Sequence, residues 1–387
     1  MSKLDELIKE LCPNGVEYKT LGEVATINRG VRVTRDMLQI DGKIPVYQNA
    51  LTPLGYFDKS NRKSYTTFVI SAGAAGQIGF SDVEFWAADD CFTFEDLQNC
   101  NSKYIYYFLK TKQTFIDSRV RRGSIPRISR DVFEKFEIPV PPLEVQDEIV
   151  RILDKFTSLE AELEAELEAR RKQYEYYRDS LLTFGDDVEW KTLGEIATIT
   201  RGGSFQKKDF VENGLPCIHY GQMYTHFRTY TNKTLTFLNK EVFDKSRIAQ
   251  PNDIVMAVTS ENVEDVCSCV AWLGNENIAV SGHTAIIHHN QNAKYLAYYF
   301  QTSAFFKQKQ KLAHGTKVIE VTPDKLKDVV IPIPSIKEQQ RIVSILDRFE
   351  SLCNDITSGL PAEIEARKKQ YEYYRDKLLS FKRKEAV

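Results

Sequence analysis

The sequence has 387 residues, 42% of them hydrophobic, and its 52 Lys and Arg nearly balance its 54 Asp and Glu. That is apolar material for more than one packed domain, yet no run approaches the ~18 apolar residues of a membrane span. A net charge of −2 does not advertise nucleic-acid binding, and seven cysteines without framework spacing fit a reducing compartment rather than a disulfide scaffold. The opening MSKLDELIKEL is charged throughout and lacks a signal-peptide core, so a cytoplasmic protein with no membrane partner is expected.

Taken in order, Leu4 to Leu11 reads as one short amphipathic helix closed by a Pro13, Asn14, Gly15 turn. VEYKTLGEVATINRG (16–30) then returns as VEWKTLGEIATITRG (188–202). Between Ile27 and Ile138 short β-rich runs (IPVY, TTFVIS, EFWA, CFTF) alternate with Gly, Asn and Asp, and one helical stretch, KYIYYFLKT, starts at Lys103. The second block repeats the plan with LPCIHY, DIVMAVT, CSCVAWL and AIIHH, then KYLAYYFQT from Lys294. Two copies of one mixed α/β domain are expected, similar at their edges and different inside.

Each domain runs into a repeated helical segment. ILDKF (152–156) matches ILDRF (345–349), and QYEYYRD occurs at 173–179 and again at 370–376. In the first copy Ile149, Phe156, Leu163, Arg170, Tyr177 and Phe184 step by sevens, with Leu153, Glu160, Leu167, Tyr174 and Leu181 between them. All but Glu160 and Arg170 are apolar or aromatic, which predicts a coiled-coil seam on a helix from about Leu143 to Phe184, roughly 60 Å long at ~1.5 Å per residue. The second copy meets Gly359 and Pro361, so a kink or break is expected near Ser358. A glutamine follows the proline-punctuated entry to each helix, Gln146 and Gln339. The expected fold is therefore α+β: two similar globular domains separated by two long antiparallel coiled-coil helices, pseudo-two-fold and circular, with the chain ends meeting in space. The segments are 1–142 (first domain with its N-terminal helix), 143–185 (first spacer helix), 186–334 (second domain) and 335–387 (second spacer helix).

Catalytic signatures are missing: there is no G-x4-G-K-[ST] loop, H-E-x-x-H, G-x-S-x-G or N/D-P-P-aromatic tetrad. The Gly-rich SAGAAGQIG (71–79) reads as a strand turn, and the E-x-K scraps at Glu17 and Glu189 read as structural. Cys267 and Cys269 form a Cys-x-Cys pair in the half holding all six histidines, but no Cys-x2-Cys accompanies it and no metal site is assigned.

Basic clusters are the better signal. Arg119, Arg121, Arg122, Arg127 and Arg130 crowd before the first proline entry, and Lys307, Lys309, Lys311, His314 and Lys317 occupy the matching place in the second half. Such loops neutralise phosphates, and arginine reads guanine edges. Polar and aromatic residues suited to base edges are Tyr47, Gln48 and Asn49, and His219, Tyr220, Gln222, Tyr224, His226 and Arg228. On the repeated helices Tyr174, Tyr176 and Tyr177, with Tyr371, Tyr373 and Tyr374, form candidate partner surfaces.

The opening EWKTLGEIATITRGGSF, the pair IPVPPLEVQDEIVRILDKF and IPIPSIKEQQRIVSILDRF, and the ending RKKQYEYYRDKLLSF resemble the DNA-specificity subunit of type I restriction-modification enzymes. The tandem AELE units at 161–164 and 165–168 look closest to the type IC group. The resemblance implies a non-catalytic subunit with two target-recognition domains that bind a split, asymmetric site on double-stranded DNA. It also implies two adenine-methyltransferase (modification) subunits docked on the paired helices, restriction-translocase subunits beyond them, and no cofactor in this chain, S-adenosylmethionine and ATP with Mg residing in the partners. Two other readings stay open on the residues alone: a stand-alone two-headed DNA-binding regulator, and a coiled-coil adaptor joining protein-binding domains.

Overall fold

The computed structural model describes residues 3–354 and 359–384. The chain forms two compact units, Met1–Glu164 with Glu363–Val387, and Ala165–Ala362. The division falls between the two AELE units, inside one continuous helix, Leu143–Leu181.

In the first unit, Glu17–Thr20 pairs antiparallel with Glu137–Val140. A four-stranded sheet follows, in the order Thr26–Arg29, Cys91–Glu95, Thr66–Ile70, Ile78–Ser81, beside a three-stranded sheet of Gly55–Phe57, Ile44–Tyr47 and Trp86–Ala87. The runs TTFVI and CFTF sit centrally because they are apolar on both faces; Phe68, Phe94 and Phe133 are fully buried, each contributing roughly 1.5–3 kcal/mol. Helix Ser102–Thr111 packs on this sheet, with Asn101 as its N-cap.

The second unit repeats the frame. Trp190–Thr192 pairs with Val330–Pro332, two sheets have five strands each, one around Ile254–Ala257 and one around Leu215–Ile218, and Thr259–Ser260 pairs with Ile319–Glu320. The extra length of this half lies in added pieces such as Tyr230–Thr231, Lys240–Asp244 and Arg247–Ala249. At the head of each unit the TLGE repeat forms the same capping box: the Thr20 N–H donates to Glu23 at 2.7 Å and the Thr192 N–H to Glu195 at 2.6 Å. Just before it, Glu17 pairs with Lys19 and Glu189 with Lys191.

Repeated motifs meet each other inside each unit. Lys103 and Tyr107 of KYIYYF reach Asp154 of ILDKF at 2.8 and 2.5 Å, and Lys294 and Tyr298 of KYLAYYF reach Asp347 of ILDRF, both at 2.8 Å. Gln146 is fully buried: its carbonyl accepts from the Asn101 N–H, while its amide donates to the Asn99 and Pro141 carbonyls. Gln339 does the same with the Asn292 N–H, the Gln291 side chain and the Pro334 carbonyl. Each glutamine ties the entry of its long helix to the cap of the domain helix.

The seam is antiparallel within each unit. In the first, Phe156 stacks on Tyr374, and Lys368 meets Glu164 at 2.9 Å and Glu160 at 3.5 Å, so the polar seam position Glu160 is matched by a cation. In the second, Tyr177 stacks on Phe349 while the other polar position, Arg170, bonds Glu166 and Gln173 of its own helix. The first long helix ends at Leu181, three residues short of Phe184. The second strut comprises Ile336–Asn354 and Leu360–Leu378, and the break expected near Ser358 lies outside the described residues. Pro361 lies in the first turn of its helix, where a missing N–H costs nothing. In the first unit the two ends of the described chain come together: the Val16 N–H donates to Lys382 O, the Lys384 N–H to Val16 O, both at 2.9 Å, and the Tyr18 hydroxyl to Phe381 O. Among the described residues no helix is long and apolar enough to cross a membrane.

Candidate nucleic-acid interface

The arginine loop of the first unit is a hairpin. The Arg121 N–H donates to Arg127 O at 2.8 Å and the Arg127 N–H returns to Arg121 O at 3.1 Å, which turns the chain through Gly123 to Pro126. Arg127 bridges in turn to Ala72, and the Gly73 N–H donates to Pro126 O, so the SAGAAG turn between Thr66–Ile70 and Ile78–Ser81 forms the hairpin's floor. Gly73 needs to be glycine there: its φ is +86°, and an added Cβ would meet Asn49 at 2.8 Å. The Asn49 carbonyl accepts the Ala74 N–H, which brings the loop after Ile44–Tyr47 to the same place. Sequence-distant Asn49, Arg121 and Arg127 thus converge.

Arg121, Arg122 and Arg127 are exposed and make no side-chain hydrogen bond or ion pair among the described residues. Arg119 lies over the Phe115 ring and Arg130 pairs with Glu134 at 2.9 Å, so these two are partly engaged. Asp90 sits beside the hairpin; burial and neighbouring Asp89 push its carboxyl up, with Arg127 and Arg29 pulling the other way.

Several expected contacts are corrected. Tyr47 is half-buried and packs against the core, its ring against Phe68 at 4.7 Å and Phe85 at 5.6 Å, with its phenol pushed up by burial. His219 is only 7% exposed; its ring nitrogen accepts the Gly221 N–H, and burial holds the imidazole below its usual range. The Gln222 side chain accepts the His219 N–H and reaches Thr236, which makes it a turn brace. Lys309 is 6% exposed and spends its ammonium on the Glu264 and Val266 carbonyls. It faces inward because it lies two residues from Lys307 and Lys311, which share the exposed face of helix Ser303–Leu312. Arg228 lines a separate cavity with Tyr230, Asp347 and Glu350, away from Tyr220 and Tyr224. Gln48 is half-buried beside Asn49, and His226 and Lys317 are exposed.

On the helices, Tyr174 is 7% exposed and Tyr371 packs against the first unit's core, so neither is a free partner surface. Tyr176 (70%) and Tyr373 (62%) are exposed, with Tyr177 and Tyr374 half-covered by their phenylalanine partners. Burial pushes the Cys267 and Cys269 thiols up to about 12, and among the described residues no three His, Cys, Asp or Glu side chains are placed to hold a metal.

The second unit has a matching hairpin, in which the His314 N–H donates to Glu320 O at 3.0 Å and the Glu320 N–H returns to His314 O at 2.8 Å. With two such hairpins on duplicated frames, the sequence matches the type I restriction modification DNA specificity domain over residues 13–169 and 185–366. The chain belongs to this family. It is 40% identical over 297 residues to the EcoR124I/EcoR124II specificity subunit of Escherichia coli, covering 74% of this chain and 72% of that one. It is 30% identical over 394 residues to a putative type I restriction enzyme specificity subunit of Haemophilus influenzae, with 95% and 96% covered. The fold is that of the S subunit of M. genitalium (TM-score 0.58, 16% identity, 94% and 96% covered) and of a chain from work on complex assembly of the type I R-M system (TM-score 0.59, 17% identity, 95% and 98% covered).

In this specificity subunit the residues that sequence reasoning missed include Arg29, which acts on Asp90 together with Arg127, and Arg201, which pairs with Glu320. Arg29 donates to Asp89 O at 2.7 Å, and Arg201 to Gly282 O at 3.2 Å and to Glu320 at 2.9 Å. The signal was present: both stand before the glycine that ends the repeat, Gly30 or Gly202, where an added Cβ would run into the Ala88 or Ser281 carbonyl.

Proposed function

We propose that this specificity subunit reads a bipartite, asymmetric double-stranded DNA site, one unit per half-site, for two adenine-methylating modification subunits and for restriction-translocase subunits, in the cytoplasm. Phosphate contacts from Arg121, Arg122, Lys307, Lys311 and Lys317 position each unit, and groups around the hairpins select bases. The continuous helix Leu143–Leu181 sets the distance between half-sites, and Tyr176 and Tyr373 present the modification subunits with exposed aromatic anchors. Methyl donor and nucleotide bind in the partners.

The observation that carries this reading is the recurrence of one hairpin, on one frame, at Arg121–Arg127 and His314–Glu320. A duplicated frame with unlike side chains suits two readers of unlike sequences. The test is co-expression with the modification subunits and sequencing of methylated sites. A split motif of two unlike halves at fixed separation is expected; methylation without a split motif overturns the proposal.

A further inference from the structure

The two units can be put in register by their backbone bonds. The Ile128 N–H donates to Ser71 O and the Val321 N–H to Val258 O; the Ser71 N–H donates to Asp90 O and the Val258 N–H to His283 O. With the two hairpin bridges, this equates Arg121 with His314, Arg127 with Glu320 and Asp90 with His283.

The chemistry does not follow the backbone. In the first unit the Asn49–Ala74 bond closes the floor, and unpaired arginines cover it. In the second, the position of Arg127 is held by Glu320, which neutralises Arg201 at 2.9 Å. Between Tyr220, Tyr224 and the 259–265 loop a cavity of about 450 Å³ opens, with Val318 of the hairpin in its wall. Its lining is largely fixed: the Tyr224 hydroxyl donates to Thr259 O at 2.6 Å, His283 lies 3.2 Å from the Thr259 hydroxyl, and Asn262 donates to Asp265 at 2.8 Å. Glu261 differs from them. It is exposed, lines the cavity, and makes no side-chain hydrogen bond or ion pair among the described residues.

We propose that Glu261 is a specificity-determining residue: its carboxylate accepts a hydrogen bond from the exocyclic amino group of a cytosine or adenine in the second unit's half-site, with Tyr220 and Val318 against the base. An ionised carboxylate is acceptor-only, so it selects the amino-bearing edge and rejects guanine O6 and N7 and thymine O4. In the first unit the same register puts Ala74 at the position of Glu261, and the hairpin arginines, as donors, suit the opposite edge. This inference rests on the DNA-reading assignment above.

The test maps methylated sites in a host carrying the whole chain with its modification subunits, for the unaltered chain and for Glu261→Gln and Glu261→Ala. In Glu261→Ala one position in one half-site should lose its requirement for an amino group on the major-groove edge, discrimination falling roughly tenfold or more, and in Glu261→Gln, whose amide oxygen still accepts, the loss at that position should be smaller; the other half-site and the gap stay unchanged in both. Duplexes with purine in place of adenine, or 2-pyrimidinone in place of cytosine, at that position should bind the unaltered complex roughly tenfold less well and the Glu261→Ala complex equally well; the analogue that discriminates names the base. An unchanged motif, or uniform weakening at all sites, overturns the role of Glu261 while leaving the specificity function standing. Absence of any sequence-directed methylation by the unaltered complex overturns both.

Discussion

Phe156 and Tyr374 stack with ring centroids 5.5 Å apart and planes at 23°, and Tyr177 and Phe349 repeat the contact at 5.4 Å and 26°. Each pair joins the ILD-x-F motif of one helix to the QYEYYRD motif of the other. Each compact unit therefore contains one motif from each helix, and this is why the chain carries both motifs twice.

The buried glutamines should be costly to remove. Gln146→Ala strands the Asn101 N–H and the Asn99 and Pro141 carbonyls, a loss of about 2–3 kcal/mol, and Gln339→Ala should behave alike. Gln146→Glu, which turns a donor into an acceptor facing two carbonyls, should be worse. Urea unfolding measures all three; a Gln146→Glu variant as stable as the parent contradicts the bonding scheme.

Acid should weaken the second unit first. Burial, with neighbouring His288, depresses His289 from 6.5 to about 4. The unfolded chain then binds a proton that the folded chain refuses, so stability is full above pH 6.5 and falls as pH drops toward 4, by up to about 3 kcal/mol. Thermal unfolding across this range should show the slope, and His289→Gln should flatten it.

Exposed and buried tyrosines of the same motif should part company. Tyr176→Ala with Tyr373→Ala should leave stability within about 0.5 kcal/mol yet weaken co-elution with modification subunits at least tenfold. Tyr174→Ala should act on folding instead, because that ring is in the core.

Arg121→Ala with Arg122→Ala should weaken binding to all sequences and reduce the salt slope by about one to two units. Fluorescence titration of the assembled complex at several salt concentrations checks it; an unchanged slope means that these arginines do not touch phosphate.

Much of the frame was legible because repetition is a sequence signal: both capping boxes, both domain helices, the buried glutamines' positions and the closure of the chain on itself follow from matched motifs. The site was less so. Tyr47 and His219 have base-reading chemistry, but whether a side chain faces a groove or the core depends on neighbours such as Phe68 and Phe85, far away in sequence. Lys309 looked like its helical neighbours, and only the Glu264 and Val266 carbonyls, brought in by another loop, explain its burial. Glu261 carries no spacing signal at all; its meaning comes from the cavity around it.

The central claim is that helix Leu143–Leu181 measures the distance between two half-sites, and the division between units falls between its AELE repeats. Deleting residues 161–164 removes ~6 Å of helix, which at ~3.4 Å per base pair should shorten the gap in the methylated motif by about one to two base pairs without changing either half. Sequencing methylated sites in the deletion strain reads this directly. An unchanged gap, or altered half-site sequences, would contradict the account.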